Sequence, residues 1–282
     1  LPKFVNGLNR YLALIMLVKP RRRILTIGDG DLSFSNALRQ HFEPQMLCAT
    51  VYDPLATLGD KYGLDNYQAL KDGQTQVICQ FDVTKPDTWQ SLPKQQFDLV
   101  IFQFPLIPND VSGQEFAVSS RVGDANLRNR RLLHLTLKHA QAHFLDPEGD
   151  RITIITSKDV KPYRQWDIEQ SISEGLTVNY LGQCSFNAAD FPHYRIRNVD
   201  RDKFVKETLG TCYYYSDKPQ PVLRDALMMP TYLSDSSQYC GMCRVGPMLT
   251  DGDRQAHQQS KRHQQMNGFK QRWRDYRADV NR

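Results

Sequence analysis

Ile24-Leu25-Thr26-Ile27-Gly28-Asp29-Gly30-Asp31-Leu32-Ser33-Phe34-Ser35 is the stretch on which the fold turns. A short β-branched run enters a glycine turn, and Phe34, Ala37, Leu38 and Phe42 then recur at helical spacing behind a cap expected at Asp31 or Ser33. A strand passing through glycines into a helix forms the ligand-binding corner of an open α/β sheet, at the carboxyl edge of its strands. Glycine suits the corner because it lets backbone approach a ligand closely. Ser33 replaces the third glycine of the dinucleotide fingerprint, and carboxylates at Asp29 and Asp31 would repel a pyrophosphate. S-adenosylmethionine has no phosphate and carries a sulfonium and an ammonium group, so it suits those carboxylates.

Working outward, apolar runs at 24–27, 47–52, 77–81, 97–104 and 152–156 alternate with helix-length segments, which predicts a parallel sheet. Runs at 177–184 and 211–215 supply a sixth and a seventh strand. The expected fold class is α/β: a Rossmann-like, seven-stranded class I methyltransferase sheet with a small C-terminal zinc finger. Asp53 closes the second strand 23 residues beyond Gly30, where an acidic side chain accepts hydrogen bonds from ribose hydroxyls. Asp82 closes the third, a position suited to an adenine edge. Gly28, Asp29, Gly30, Asp31, Ser33, Asp53 and Asp82 are thus the expected cofactor-binding set. The stripe at 129–144 predicts a helix that Asp146-Pro147-Glu148-Gly149 stops.

Four of the six cysteines stand singly in apolar stretches, the usage of a reducing compartment, and only Cys240 and Cys243 are close together. After Cys243 come thirteen residues and His257, then five more and His263, a ligand set and spacing that point to zinc. Six positions span about 240° of an ideal helix, so the helix must widen or end near His263 for both imidazoles to reach one ion. With four protein ligands the zinc is structural, its module folding as it binds metal. The net charge of +5 is concentrated at the end of the chain: 254–282 carry eight Lys/Arg against two Asp, a footprint for a polyanion such as RNA. Phe269, Trp273 and Tyr276 interleave with those cations, either to stack on bases or to pack on the finger. The expected layout is a helical segment at 1–21, a methyltransferase-like domain at 22–218, a linker at 219–237, and a finger with a basic tail at 238–282. The apolar run at 11–18 is too short to span a bilayer, which needs about 20 residues. With no small-residue cleavage site after that run, a chain that is not secreted, cytoplasmic or nucleolar, is expected.

Around this frame the chain resembles the ribosomal RNA uridine-N3 methyltransferase-like family over roughly 22–216. The resemblance rests on Gly28-Asp29-Gly30-Asp31-Leu32-Ser33-Phe34-Ser35, Tyr62-Gly63, Phe97-Asp98 with Phe104-Pro105, Lys161-Pro162-Tyr163, Trp166-Asp167-Ile168-Glu169 and Phe191-Pro192-His193-Tyr194. It implies a Rossmann-like fold, S-adenosylmethionine as donor and N3 of a uridine in ribosomal RNA as acceptor. The segment His257 to His263 is similar to matrin and U1 type fingers, which implies RNA binding. Where the family usually reads Asn-Phe-Pro-His, this chain has Gln103-Phe104-Pro105-Leu106. Methylating N3 requires loss of its proton, so the site must hold the base edge and favour an anion. Gln103 for the edge, Phe104 for the ring and Lys158 for the charge are the expected catalytic set. The departure at Gln103 and Leu106 also motivates an alternative, an RNA-binding protein whose methyltransferase fold is inactive or senses the donor.

Overall fold

A computed structural model describes residues 13–18, 21–89, 91–107, 124–197 and 209–280. Strands β1 (Arg23–Ile27), β2 (Met46–Thr50), β3 (Gln76–Ile78), β4 (Leu99–Gln103), β5 (Ile152–Ser157), β6 (Asn179–Asn187) and β7 (Leu209–Ser216) form one sheet in the order β3-β2-β1-β4-β5-β7-β6. The first five are parallel, and β7 runs antiparallel between β5 and β6. Every residue of β4 and β5 is buried, as a parallel strand covered on both faces requires. All seven strands fall on the runs expected for them, with ends shifted by a few residues.

Successive residues of β1 face opposite sides of the sheet: Ile24 joins a core with Leu38, Leu47 and Ile101, and Leu25 one with Val100, Phe97 and Phe144. Helix α1 (Ala13–Val18) buries Leu14, Leu17 and Val18 in the first of these cores, so the early apolar run is a docked helix. Helices α2 (Ser33–His41), α3 (Leu55–Tyr62) and α4 (Asp65–Asp72) follow. Helix α5 (Ala125–His139) is capped by Asp124, whose carboxylate accepts from Leu127 N at 3.0 Å, and it loosens into a π turn at Ala140–Phe144.

Beyond β7 come α6 (Thr231–Ser234), α7 (Asp251–Gln259) and α8 (Lys261–Val280). The 219–237 stretch, composed like a linker, lies on the sheet: Leu223 and Ala226 are buried, and Met228 exchanges backbone hydrogen bonds with Gln183 on the outer edge of β6. Trp273 and Tyr276 of α8 pack on the methyltransferase-like domain, a contact that neither reading of these aromatics, stacking on bases or packing on the finger, foresaw. Trp273 is fully buried, donates Nε1–H to Ser171 O at 2.9 Å, and lies edge-on to His134 of α5. Arg131 Nε donates to Tyr276 Oη at 2.8 Å. No described helix is long and apolar enough to cross a membrane.

Candidate active site and metal centre

The glycine corner is closed by its own side chains. Gly28 has φ +60°, and a Cβ there would lie 2.8 Å from the ring of Phe102, so both conformation and space demand glycine. The next strand anchors the turn: Gly28 N–H donates to Thr50 Oγ1 at 3.3 Å and Asp29 N–H to Thr50 O at 3.0 Å. Leu32 occupies the N-cap of α2 with φ 63° and has nothing to cap with. The earlier aspartates do that work, because Asp29 Oδ2 accepts from Ser35 N at 2.6 Å and Asp31 Oδ1 from Ser33 N at 3.0 Å. Ser33, expected as a possible cap, is instead the first residue of the helix and pairs with the backbone of Arg195, which donates to its Oγ at 3.0 Å.

Both carboxylates are buried. Burial, reinforced by the neighbouring charge of Asp31, raises the Asp29 carboxyl to about 7. Asp31 is held by Arg197, whose Nε lies 2.6 Å from Oδ2 and whose guanidinium stacks over Tyr62 at 4.9 Å. Reading the sequence locally missed this arginine. The alternation Tyr194-Arg195-Ile196-Arg197, with Ile196 buried, is the signal that points it back over the corner. Two carboxylates against one guanidinium still favour a cationic ligand over a pyrophosphate.

Asp53 and Asp82 stand at the ends of the neighbouring strands, tied together by Val51 N to Ile78 O, Phe81 N to Val51 O and Gln80 N to Asp53 O. Asp53 is half-buried and takes Lys61 Nζ at 2.9 Å. Asp82 braces its own turn, with Oδ1 accepting from Thr84 N at 2.8 Å and Thr84 Oγ1 at 2.7 Å. Gln103 ends β4, one residue past the Phe102 that touches Gly28. Its side chain is buried, yet neither Oε1 nor Nε2 has a hydrogen-bond partner among the described residues, an expensive state for an amide unless a ligand completes it. Phe104 has φ 48° and meets Phe186 edge-on at 5.6 Å. Lys158 is half-buried just past β5, with no ion pair among the described residues.

The second cluster lies at the C-terminal end. Cys240, Cys243, His257 and His263 offer four donor atoms that all lie within 4.8 Å of one another. His263 Nδ1 is 3.7 Å from Cys240 Sγ, 3.6 Å from Cys243 Sγ and 3.1 Å from His257 Nε2. Zinc bonds of about 2.0–2.3 Å give tetrahedral edges of about 3.3–3.8 Å, so the donors fit that ion. The helix breaks at Ser260, with ψ 145°, between the two histidines and three residues before the expected place. Ser260 Oγ then accepts from His263 N at 3.2 Å, which starts α8 with its imidazole turned back to the cysteines. Arg244, next to Cys243, pairs with Asp159 and reaches the buried Glu169 at 2.6 Å, which also accepts from Tyr232 Oη at 2.9 Å. The cysteine knuckle is thereby bolted to the sheet domain.

Residues 25–198 match the family model described as BMT5-like, rRNA (uridine-N3-)-methyltransferase. An uncharacterized protein of Arabidopsis thaliana is 29% identical over 175 residues, covering 61% of this chain and 79% of that one. The 25S rRNA (uridine(2634)-N(3))-methyltransferase of Saccharomyces cerevisiae is 25% identical over 252 residues, covering 72% of this chain and 74% of its own. Among solved structures, the N-terminal domain of human METTL16 in complex with SAH overlays at a TM-score of 0.39 and 14% identity, covering 78% and 72% of the two chains.

Proposed function

This chain belongs to the BMT5-like rRNA (uridine-N3-)-methyltransferase family, and from that membership we propose that it transfers a methyl group from S-adenosylmethionine to N3 of a uridine in ribosomal RNA. The observation that carries the reading is Gln103: a buried amide whose polar atoms have no partner among the described residues, at the strand end that abuts the glycine corner. A uracil edge offers O2 and O4 as acceptors on either side of N3. Nε2–H of Gln103 donates to one of them and holds the negative charge that spreads there as N3 gives its proton to solvent; N3 then takes the methyl group, and the sulfonium leaves as the neutral thioether of S-adenosylhomocysteine. Phe104, fixed by Phe186, packs beside the ring, and Lys158 adds positive charge at the end of β5. Gly28, Asp29, Gly30, Asp31 and Ser33 frame the donor, with Asp53 towards its ribose and Asp82 towards its adenine. S-adenosylmethionine supplies an electrophilic methyl group on a sulfonium, which the acidic corner attracts. Cys240, Cys243, His257 and His263 hold one structural zinc, which takes no part in the chemistry.

The test is nucleoside mass spectrometry of ribosomal RNA incubated with the purified chain and S-adenosylmethionine. N3-methyluridine is the expected product, and Gln103→Ala should slow its formation by about 10²- to 10³-fold, the cost of one donor to a developing anion. Donor binding without any methylated nucleoside would favour the RNA-binding alternative, which Leu106 in the family's histidine position motivates.

A further inference from the structure

A cleft of about 450 Å³ lies between the 161–165 turn of the sheet domain and the cysteine–histidine module. Five cations line it: Lys161 and Arg164 from the sheet domain, and Arg244, Lys261 and Arg262 from the module. Two carboxylates, Asp159 and Glu169, pair with Arg164 and Arg244, which leaves an excess of three positive charges. Among the described residues Lys161 and Lys261 have no ion pair, and they stand on opposite walls. Met242 and Met266 contribute an apolar lining, adaptable in shape and suited to the face of a base. Further along α8, Arg272 pairs with Asp124 at 2.9 Å and Arg277 with Glu174 at 3.2 Å, so those two cations are engaged within the chain. The cleft thus brings two lysines without an ion pair among the described residues, Lys161 and Lys261, to facing walls of one concave site. Lys161 stands three residues beyond Lys158, at the carboxyl end of β5 and on the same edge of the sheet as the glycine corner.

We propose that this cleft is a second RNA site, which grips the phosphates of a single-stranded segment flanking the target uridine and seats one of its bases against Met242 and Met266. The inference rests on the RNA methyltransferase reading and deepens it. A strand held there emerges at the β5 end, where its next nucleotides can reach Gln103. Cations with a flexible apolar floor suit unstacked nucleotides, whereas a duplex hides its base faces. Because the module supplies one wall, the site exists only while the Arg244 and Trp273 contacts keep it docked.

The experiment uses the full zinc-loaded chain and a fluorescein-labelled, uridine-containing single-stranded RNA, with affinity measured by anisotropy against salt. Lys161→Glu with Lys261→Glu should weaken binding at least tenfold and flatten the log–log salt slope by about 0.7 per lost phosphate contact, with zinc content and S-adenosylmethionine affinity unchanged. Lys270→Glu with Arg274→Glu, on α8 outside the cleft, should have a much smaller effect. Photocross-linking with 4-thiouridine RNA should label peptides containing Met242 or Met266. If the wild-type chain binds and methylates RNA but the cleft variant binds equally well, the cleft proposal fails and the methyltransferase reading stands. Equal affinity for a duplex of the same sequence, lost equally in the cleft variant, would overturn the single-strand assignment. A wild-type chain that neither binds nor methylates RNA would overturn both.

Discussion

Asp29 shows how a single residue joins architecture to chemistry, since it caps α2 through Ser35 and sits in the corner proposed to receive a cation. Its folded value of about 7 lies above the ordinary carboxyl range, so the folded chain holds the proton more tightly than the unfolded one. The stability linked to this group is therefore fully present below about pH 4 and is lost as pH rises through about 7. A sulfonium or ammonium nearby reverses that preference. Calorimetry of S-adenosylmethionine binding at pH 6.5, in two buffers of different ionisation enthalpy, should show proton release, and Asp29→Asn should abolish the difference between buffers. Identical heats for the wild-type chain would remove Asp29 from the donor site. Gly28→Ala meets the Phe102 ring in a left-handed conformation, and it should cost about 1–3 kcal/mol in a melt and abolish donor binding. The need for Gly28 is legible in sequence because strand, turn and helix are contiguous. Arg197 is not, because its partner Asp31 lies 166 positions away and only the fold brings them together.

At the scale of elements, period and punctuation reveal those whose partners are near in sequence. The β-branched runs gave seven strands, and the helix after 124 begins one turn early because Asp124 caps it. The His257–His263 spacing announces that a helix must distort, and Ser260, a good N-cap, marks where. What α8 packs against was hidden, since a stripe such as Phe269, Trp273 and Tyr276 says that a face is covered but not by what. The contact is testable. Trp273→Ala empties a fully buried site between α8 and α5 and should destabilise the folded chain by about 3–5 kcal/mol, with new protease cuts after residue 263. Arg274→Ala, on the exposed side, should leave both the melting temperature and the cleavage pattern alone. If Trp273→Ala melts like the wild type, α8 does not dock as described.

For the whole molecule, these contacts mean that the part from residue 219 on is structural as well as a candidate RNA reader. Glu169 keeps only 2% of its side chain exposed and relies on Arg244 and Tyr232. A chain ending at residue 218 strips that carboxylate of both partners and uncovers Ser171 and the outer edge of β6. It should therefore melt below the full chain, by a margin reflecting the 3–5 kcal/mol that breaking one buried pair typically costs. Removing the zinc proposed at the cysteine–histidine cluster with a chelator should have a smaller effect of the same sign, because α8 keeps its Trp273 anchor. Differential scanning calorimetry of the three forms decides, and coincident transitions would mean that the module is a mere passenger. The sheet order carries one more consequence, for the making of the protein. The last strand to be synthesised, β7, is inserted between β5 and β6, so until about residue 216 has emerged both neighbours present bare edges to other nascent chains. Folding of that half waits until β7 has emerged, and a message truncated shortly before β7 should yield an aggregating chain and not a smaller, working one.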